Sequence, residues 1–178
     1  MLDLNNSLLL IIDVQEKLVK ACKDSDTIGK KVIALGATAK VLNIPTIVTE
    51  QYPQGLGVTI EDVKSVLAEG TIYKEKADFS AIGTINEELR SLGRKQIILC
   101  GIETHICVYQ TAMRLLDLGY EVYLVKDACS SRKEFEHQTG LDLMKGAGAK
   151  LTCVETILFE LLQTSKHPNF KEIQSLIK

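Results

Sequence analysis

The feature that most constrains this chain is an alternation of short, wholly apolar runs with longer segments patterned at three- and four-residue spacing. Leu8 to Ile12, Thr46 to Val48, Ile97 to Leu99, Val122 to Val125 and Leu151 to Val154 read as buried strands, with Gly70 to Tyr73 as a weaker sixth. Between them, Ile28 to Leu42, Ile85 to Leu92, His105 to Leu118 and Glu134 to Gly146 carry the helical period, and Gly93, Gly119 and Gly148 fall where helices should stop. Strands that are apolar on both faces and separated by helices imply a mostly parallel sheet covered on both sides. The expected fold is therefore α/β: a three-layer, doubly wound, six-stranded sheet in the order 3-2-1-4-5-6. That order puts strands one and four side by side where the winding reverses, and ligands bind beyond the carboxyl ends of strands at such a point. Two further helical segments, Glu155 to Leu162 and Phe170 to Ile177, are left to cover a sheet edge or meet another subunit.

Composition bounds the function. The 178 residues suit one domain spanning 1–178, and 46% hydrophobic with 25% charged residues is the mix of an ordinary globular protein. Lys plus Arg number 21 against 23 Asp plus Glu, so a net charge of -2 offers no field for polyanions, and nucleic acid is not an expected partner. The apolar run Leu8 to Ile12 is far below the ~20 residues that cross a bilayer, so no membrane association and a cytoplasmic location are expected. Cys22, Cys100, Cys107, Cys129 and Cys153 form no CxxC pair and no zinc spacing, which points to free thiols and no metal. Neither GxGxxG nor GxxxxGK[ST] occurs, so no nucleotide cofactor is expected.

Three groups could carry chemistry at the sheet edge. Asp13 closes LLLIID, and its carboxylate serves either as a reactive group or as a helix cap, since Asp13-Val14-Gln15-Glu16 has capping-box spacing. Cys107 follows strand four in GIETHIC; with Thr104 as N-cap it would lie in the first turn of a helix, where the dipole lowers a thiol pKa. A carboxylate facing a thiol is a base with its nucleophile. Lys74 and Lys76 lie after the weak strand and could supply a cation to Asp13, although a loop there would have to reach back over strand two. His105 reads as a pocket wall or surface residue, His137 and His167 as surface, Cys100 and Cys153 as inert strand residues, and Cys129 as packing at the pocket rim. Glu50 to Gly57 reads as a loop beside the site.

LLLIIDVQ, KADFSA, GIETHICVYQTA and GYEVYLVKDACSSR, in this order, resemble the isochorismatase-like family of cysteine hydrolases over about the whole chain. The resemblance implies a six-stranded parallel fold and a catalytic triad of Asp13, Lys76 and Cys107, with Lys74 as the alternative lysine. It also implies a cis peptide between Ile102 and Glu103, and an oxyanion hole from the Glu103 and Cys107 amides. Metal-dependent nicotinamidases carry Asp-x-His after strand two, whereas this chain reads Thr49-Glu50-Gln51-Tyr52. The presence of Cys107 favours C–N chemistry over ether cleavage. TEQYPQGLG is most similar to the branch of YcaC-like hydrolases and mammalian isochorismatase-domain proteins, for which no substrate can be inherited. The expectation is a metal- and cofactor-independent, homo-oligomeric cysteine hydrolase that cleaves a small amide through a thioester, with Gln51, Phe79 and His105 as pocket walls. The alternative is a binding or redox-responsive scaffold of the same fold.

Overall fold

The computed structural model describes residues 1–178. The chain runs β1 (Ser7–Ile12), α1 (Glu16–Ala21), α2 (Ser25–Val41), β2 (Thr46–Gln51), the short turns α3 (Pro53–Leu56) and α4 (Glu61–Lys64), and β3 (Ile72–Lys76). It continues through α5 (Ile82–Leu92), β4 (Gln96–Ile102), a π-helical turn (Thr104–Val108), α6 (Tyr109–Asp117) and β5 (Glu121–Ser130). It closes with α7 (Glu134–Gly146), β6 (Lys150–Thr152), α8 (Val154–Leu162) and α9 (Phe170–Ser175). The six strands form one sheet, all parallel, in the order β3-β2-β1-β4-β5-β6. This is the doubly wound architecture expected from the apolar runs.

Position in the sheet explains which runs are apolar throughout. Every residue of β1 and of β4 is buried, because these central strands are covered on both faces. The edge strands β3 and β6 keep exposed positions and are correspondingly weak in sequence. β3 begins two residues later than expected and runs to Lys76, so Lys76 is a strand residue paired with Gln51 of β2 rather than part of a long loop. β5 continues past Val125 to Ser130, which places Cys129 inside the strand and buried instead of at a rim. Cys153 lies outside β6, at the N-cap of α8. One apolar core of 47 buried residues extends from Leu2 to Ile173.

The site edge depends on one close approach. In β4, Gly101 has φ of 130°, and a Cβ there would lie 2.0 Å from the Ile12 carbonyl oxygen. Only glycine lets β4 pass the end of β1 this closely, which is how the segments after both strands come to one place. Gly148 has φ of 108° but open space around it. Gly148→Ala is expected to cost about 1–3 kcal/mol from backbone strain alone. Gly101→Ala, which adds a backbone clash, is expected to cost more than about 4 kcal/mol or to abolish folding. Urea titration of the two variants checks the order, and equal costs would show that the contact with Ile12 is dispensable.

Candidate active site

Asp13 leaves β1 in a left-handed conformation, φ 50°, that side-chain-bearing residues rarely adopt. Its N–H donates to the Thr49 carbonyl at 3.1 Å, and the Gln15 N–H donates back to its own carbonyl at 2.8 Å. This tight turn aims the carboxylate into the sheet edge. The carboxylate does not cap α1, whose N-cap is Gln15 without a side-chain cap bond. Instead Oδ1 accepts from Thr49 Oγ1 at 2.7 Å, and Oδ2 lies 2.7 Å from Lys76 Nζ.

Both side chains of that ion pair are 0% exposed. Lys76 Nζ also donates to Gln51 Oε1 at 3.0 Å and to the carbonyls of Asp78 and Phe79 at 3.1 and 3.2 Å. The ammonium therefore has more acceptors than its three protons, and its burial is compensated. Lys74 points elsewhere, into an ion pair with Glu88 of α5. Of the two candidate lysines, Lys76 is the one that meets Asp13.

Cys107 lies in the π-helical turn after β4, buried at 6% exposure. Its Sγ donates to Gln51 Oε1 at 3.2 Å, and Asp13 is within hydrogen-bonding reach. Burial, then the Asp13 charge, pushes this thiol up to about 12 despite the opposing pull of Lys76. This corrects the lowered pKa expected from a helix N-terminus. The turn runs straight on into α6, and desolvation beside a carboxylate outweighs the dipole of the two. The resting group is thus a thiol.

Other expected site residues are placed differently. Phe79 is 52% exposed, beside a surface groove that Tyr109, Met113 and Arg114 also line; the groove contains none of Asp13, Lys76 or Cys107. The two ring nitrogens of His105 are directed at Ser131 Oγ, 3.0 Å, and Glu136, 3.9 Å. The peptide bond between Ile102 and Glu103 is cis. Thr104 does not cap the turn: its hydroxyl meets Nδ1 of His137 at 2.8 Å, and His137, expected at the surface, is buried. Gly140 of α7 lets that helix seat against the turn, since a Cβ there would lie 2.9 Å from the His105 Cα. Glu103, His105 and Glu136 bring ligand-type atoms within 4.8 Å of one another. Arg132 Nε already takes Glu103 at 3.0 Å, so the group stands as an ion-pair network.

Three residues to which the sequence assigned no site role complete the site. Thr49 holds Asp13, Gln15 is fully buried beneath Gln51, and His137 anchors the turn that carries Cys107. The only signal for Gln15 was its place three residues after the apolar run, within the capping-box spacing. Because the ion pair is wholly buried, Lys76→Met is expected to cost about 3–5 kcal/mol by stranding the carboxylate. Adding Asp13→Asn should recover part of that loss in urea titrations; additive losses would show that the charges do not depend on each other.

Comparisons with known proteins agree with this fold. Residues 7–156 match the isochorismatase domain. Isochorismatase domain-containing protein 2 of Xenopus laevis is 40% identical over 174 residues, covering 97% of this chain and 83% of the relative. Among solved structures, the MAR1 ribonuclease of Caenorhabditis elegans superposes with a TM-score of 0.94 at 41% identity, covering 99% of this chain and 91% of that one. YcaC from Pseudomonas aeruginosa, with hexane-2,5-diol and covalent acrylamide, gives 0.92 at 25% identity, covering 98% and 90%. YcaC of Escherichia coli, an octameric hydrolase of unknown specificity, gives 0.88 at 26%, covering 98% and 94%. With most of its length matched and its fold shared, the chain belongs to the isochorismatase family of hydrolases.

Proposed function

We propose that this protein is a metal-independent cysteine hydrolase that cleaves the C–N bond of a small amide. The observation that carries this reading is the buried Asp13–Lys76 pair set against the Cys107 thiol. Asp13 accepts the Cys107 proton as Sγ attacks the carbonyl carbon, and the negative charge on oxygen is held by the Glu103 and Cys107 amides. Collapse of this adduct breaks the C–N bond, and the leaving nitrogen takes the proton from Asp13. A water then gives a proton to Asp13 and attacks the thioester, releasing the acid and the thiolate, which recovers the proton. Lys76 holds Asp13 in place throughout and balances its negative charge between the proton transfers.

Related proteins support parts of this reading. The covalent acrylamide of the Pseudomonas aeruginosa YcaC shows that an electrophile can be captured on this fold, and the Escherichia coli YcaC is a hydrolase. The octameric state of the latter supports homo-oligomers, and Phe135 and Leu143 give α7 exposed apolar positions for subunits to cover. Five free cysteines suit a reducing, cytoplasmic setting. The ribonuclease relative gives a second substrate class to test, which the net charge of -2 disfavours.

A panel of small amides and short RNAs, followed by product release, tests the reading. Turnover is expected on amides, with Cys107→Ala lowering kcat/KM by at least about 10³-fold and Lys76→Ala by about 10²-fold or more. Full turnover by Cys107→Ala would overturn the mechanism. RNA cleavage that survives this substitution would replace the amide with a phosphodiester. Specific ligand binding with no turnover across the panel would favour a scaffold.

A further inference from the structure

Gln51 contributes more than a wall to this site. Its backbone is clamped by Gln15, fully buried, which accepts the Gln51 N–H at 2.7 Å and donates to the Gln51 and Gly57 carbonyls at 3.0 and 2.6 Å. Its side chain, by contrast, turns into the reaction centre. Oε1 accepts from both Lys76 Nζ, 3.0 Å, and Cys107 Sγ, 3.2 Å, while Nε2 donates to the Ala77 carbonyl at 3.2 Å.

A carbonyl carbon attacked by Sγ must approach to roughly 3–3.5 Å. Gln51 Oε1 already stands at that distance from the sulfur. An amide oxygen is also too weak a base to take the thiol proton, so a thiol pointing at Gln51 is not pointing productively at Asp13. The strand is fixed by its backbone, whereas the half-buried side chain is held by hydrogen bonds that an incoming polar group can replace.

We propose that the Gln51 carboxamide is a displaceable plug, which occupies the position of the reacting carbonyl and swings off Cys107 and Lys76 when a substrate enters. With the plug in place the thiol is protonated and shielded from stray electrophiles. Once the plug is displaced, the thiol turns to Asp13 and Lys76 gives up one hydrogen bond to the newcomer. The proposal rests on the reading of Cys107 as the nucleophile.

Acrylamide labelling near neutral pH, quantified at each cysteine by peptide mass spectrometry, tests it without a known substrate. Gln51→Ala is expected to label Cys107 about 3- to 10-fold faster than wild type, the range open to loss of one or two hydrogen bonds on the resting thiol. Cys22, buried at 5%, should not change. Acetamide in solution should slow the variant at lower concentrations than wild type, where it must first displace the Gln51 carboxamide. Gln51→Ser provides a second shortened side chain, and thermal melts establish that each variant is folded. Equal or slower Cys107 labelling in both shortened variants, or equal acetamide protection of variant and wild type, overturns the plug. If the plug is overturned in this way but Cys107 still outpaces Cys22 in every protein, the plug alone fails. If Cys107 is no faster than Cys22 in any of them, the nucleophile reading fails with it.

Discussion

A lysine and an aspartate, both sealed from solvent, meet at 2.7 Å at the carboxyl edge of the sheet. Removing two charges from water carries a penalty that mutual attraction offsets only when their remaining hydrogen-bonding capacity is filled. Here the surroundings fill it: Thr49 takes one carboxylate oxygen, while Gln51 and the carbonyls of Asp78 and Phe79 take the ammonium. The requirement shapes the chain on three strands. β1 must end in the strained turn at Asp13, β2 must present Thr49 and Gln51, and β3 must run as far as Lys76 before the chain folds back over its ammonium. The turn that carries Cys107 arrives from the fourth strand, against the same pair.

The pair also accounts for the state of the thiol. Asp13 is both the nearest base and a like charge that raises the cost of a thiolate, whereas Lys76 opposes that cost. Burial decides the balance, so the resting sulfur keeps its proton. In the proposed mechanism, attack requires a proton transfer in step with bond formation, for which a fixed neighbouring carboxylate is suited. Gln51 holds the thiol in the resting orientation while Gln15 fixes the strand beneath it.

Legibility in the sequence followed burial. β1 and β4 were visible because both faces of a central parallel strand are apolar, and the strand order is the commonest of the few that right-handed crossovers leave. β3 was displaced because an edge strand alternates, and β5 was truncated because Lys126 and Asp127 interrupt its apolar run. Asp13 and Cys107 could be placed at the reversal point from their positions after strands one and four. Lys76 was harder, since its reach depends on a strand end that the apolar run did not mark. The π turn was not legible: Thr-His-Ile-Cys-Val has the pattern of any first helical turn, and the wider spacing is imposed by α7, through His137 and the close seat of Gly140. Gln15, Thr49 and His137 are buried polar groups whose partners come from distant segments, and no local pattern reveals such pairing.

The sign of one substitution separates base catalysis from simple proximity. Asp13→Asn removes a negative charge beside Cys107, which on electrostatic grounds alone lowers the thiol pKa and speeds alkylation at neutral pH. If Asp13 instead takes the proton as sulfur attacks, the same substitution slows it. The decisive measurement is the rate of iodoacetamide labelling at Cys107 between pH 6 and 9 in wild type and Asp13→Asn, with Cys22 as the internal reference. A selective loss of about tenfold or more near pH 7 is expected. Faster labelling of the variant would contradict the central claim and reduce Asp13 to a neighbouring charge.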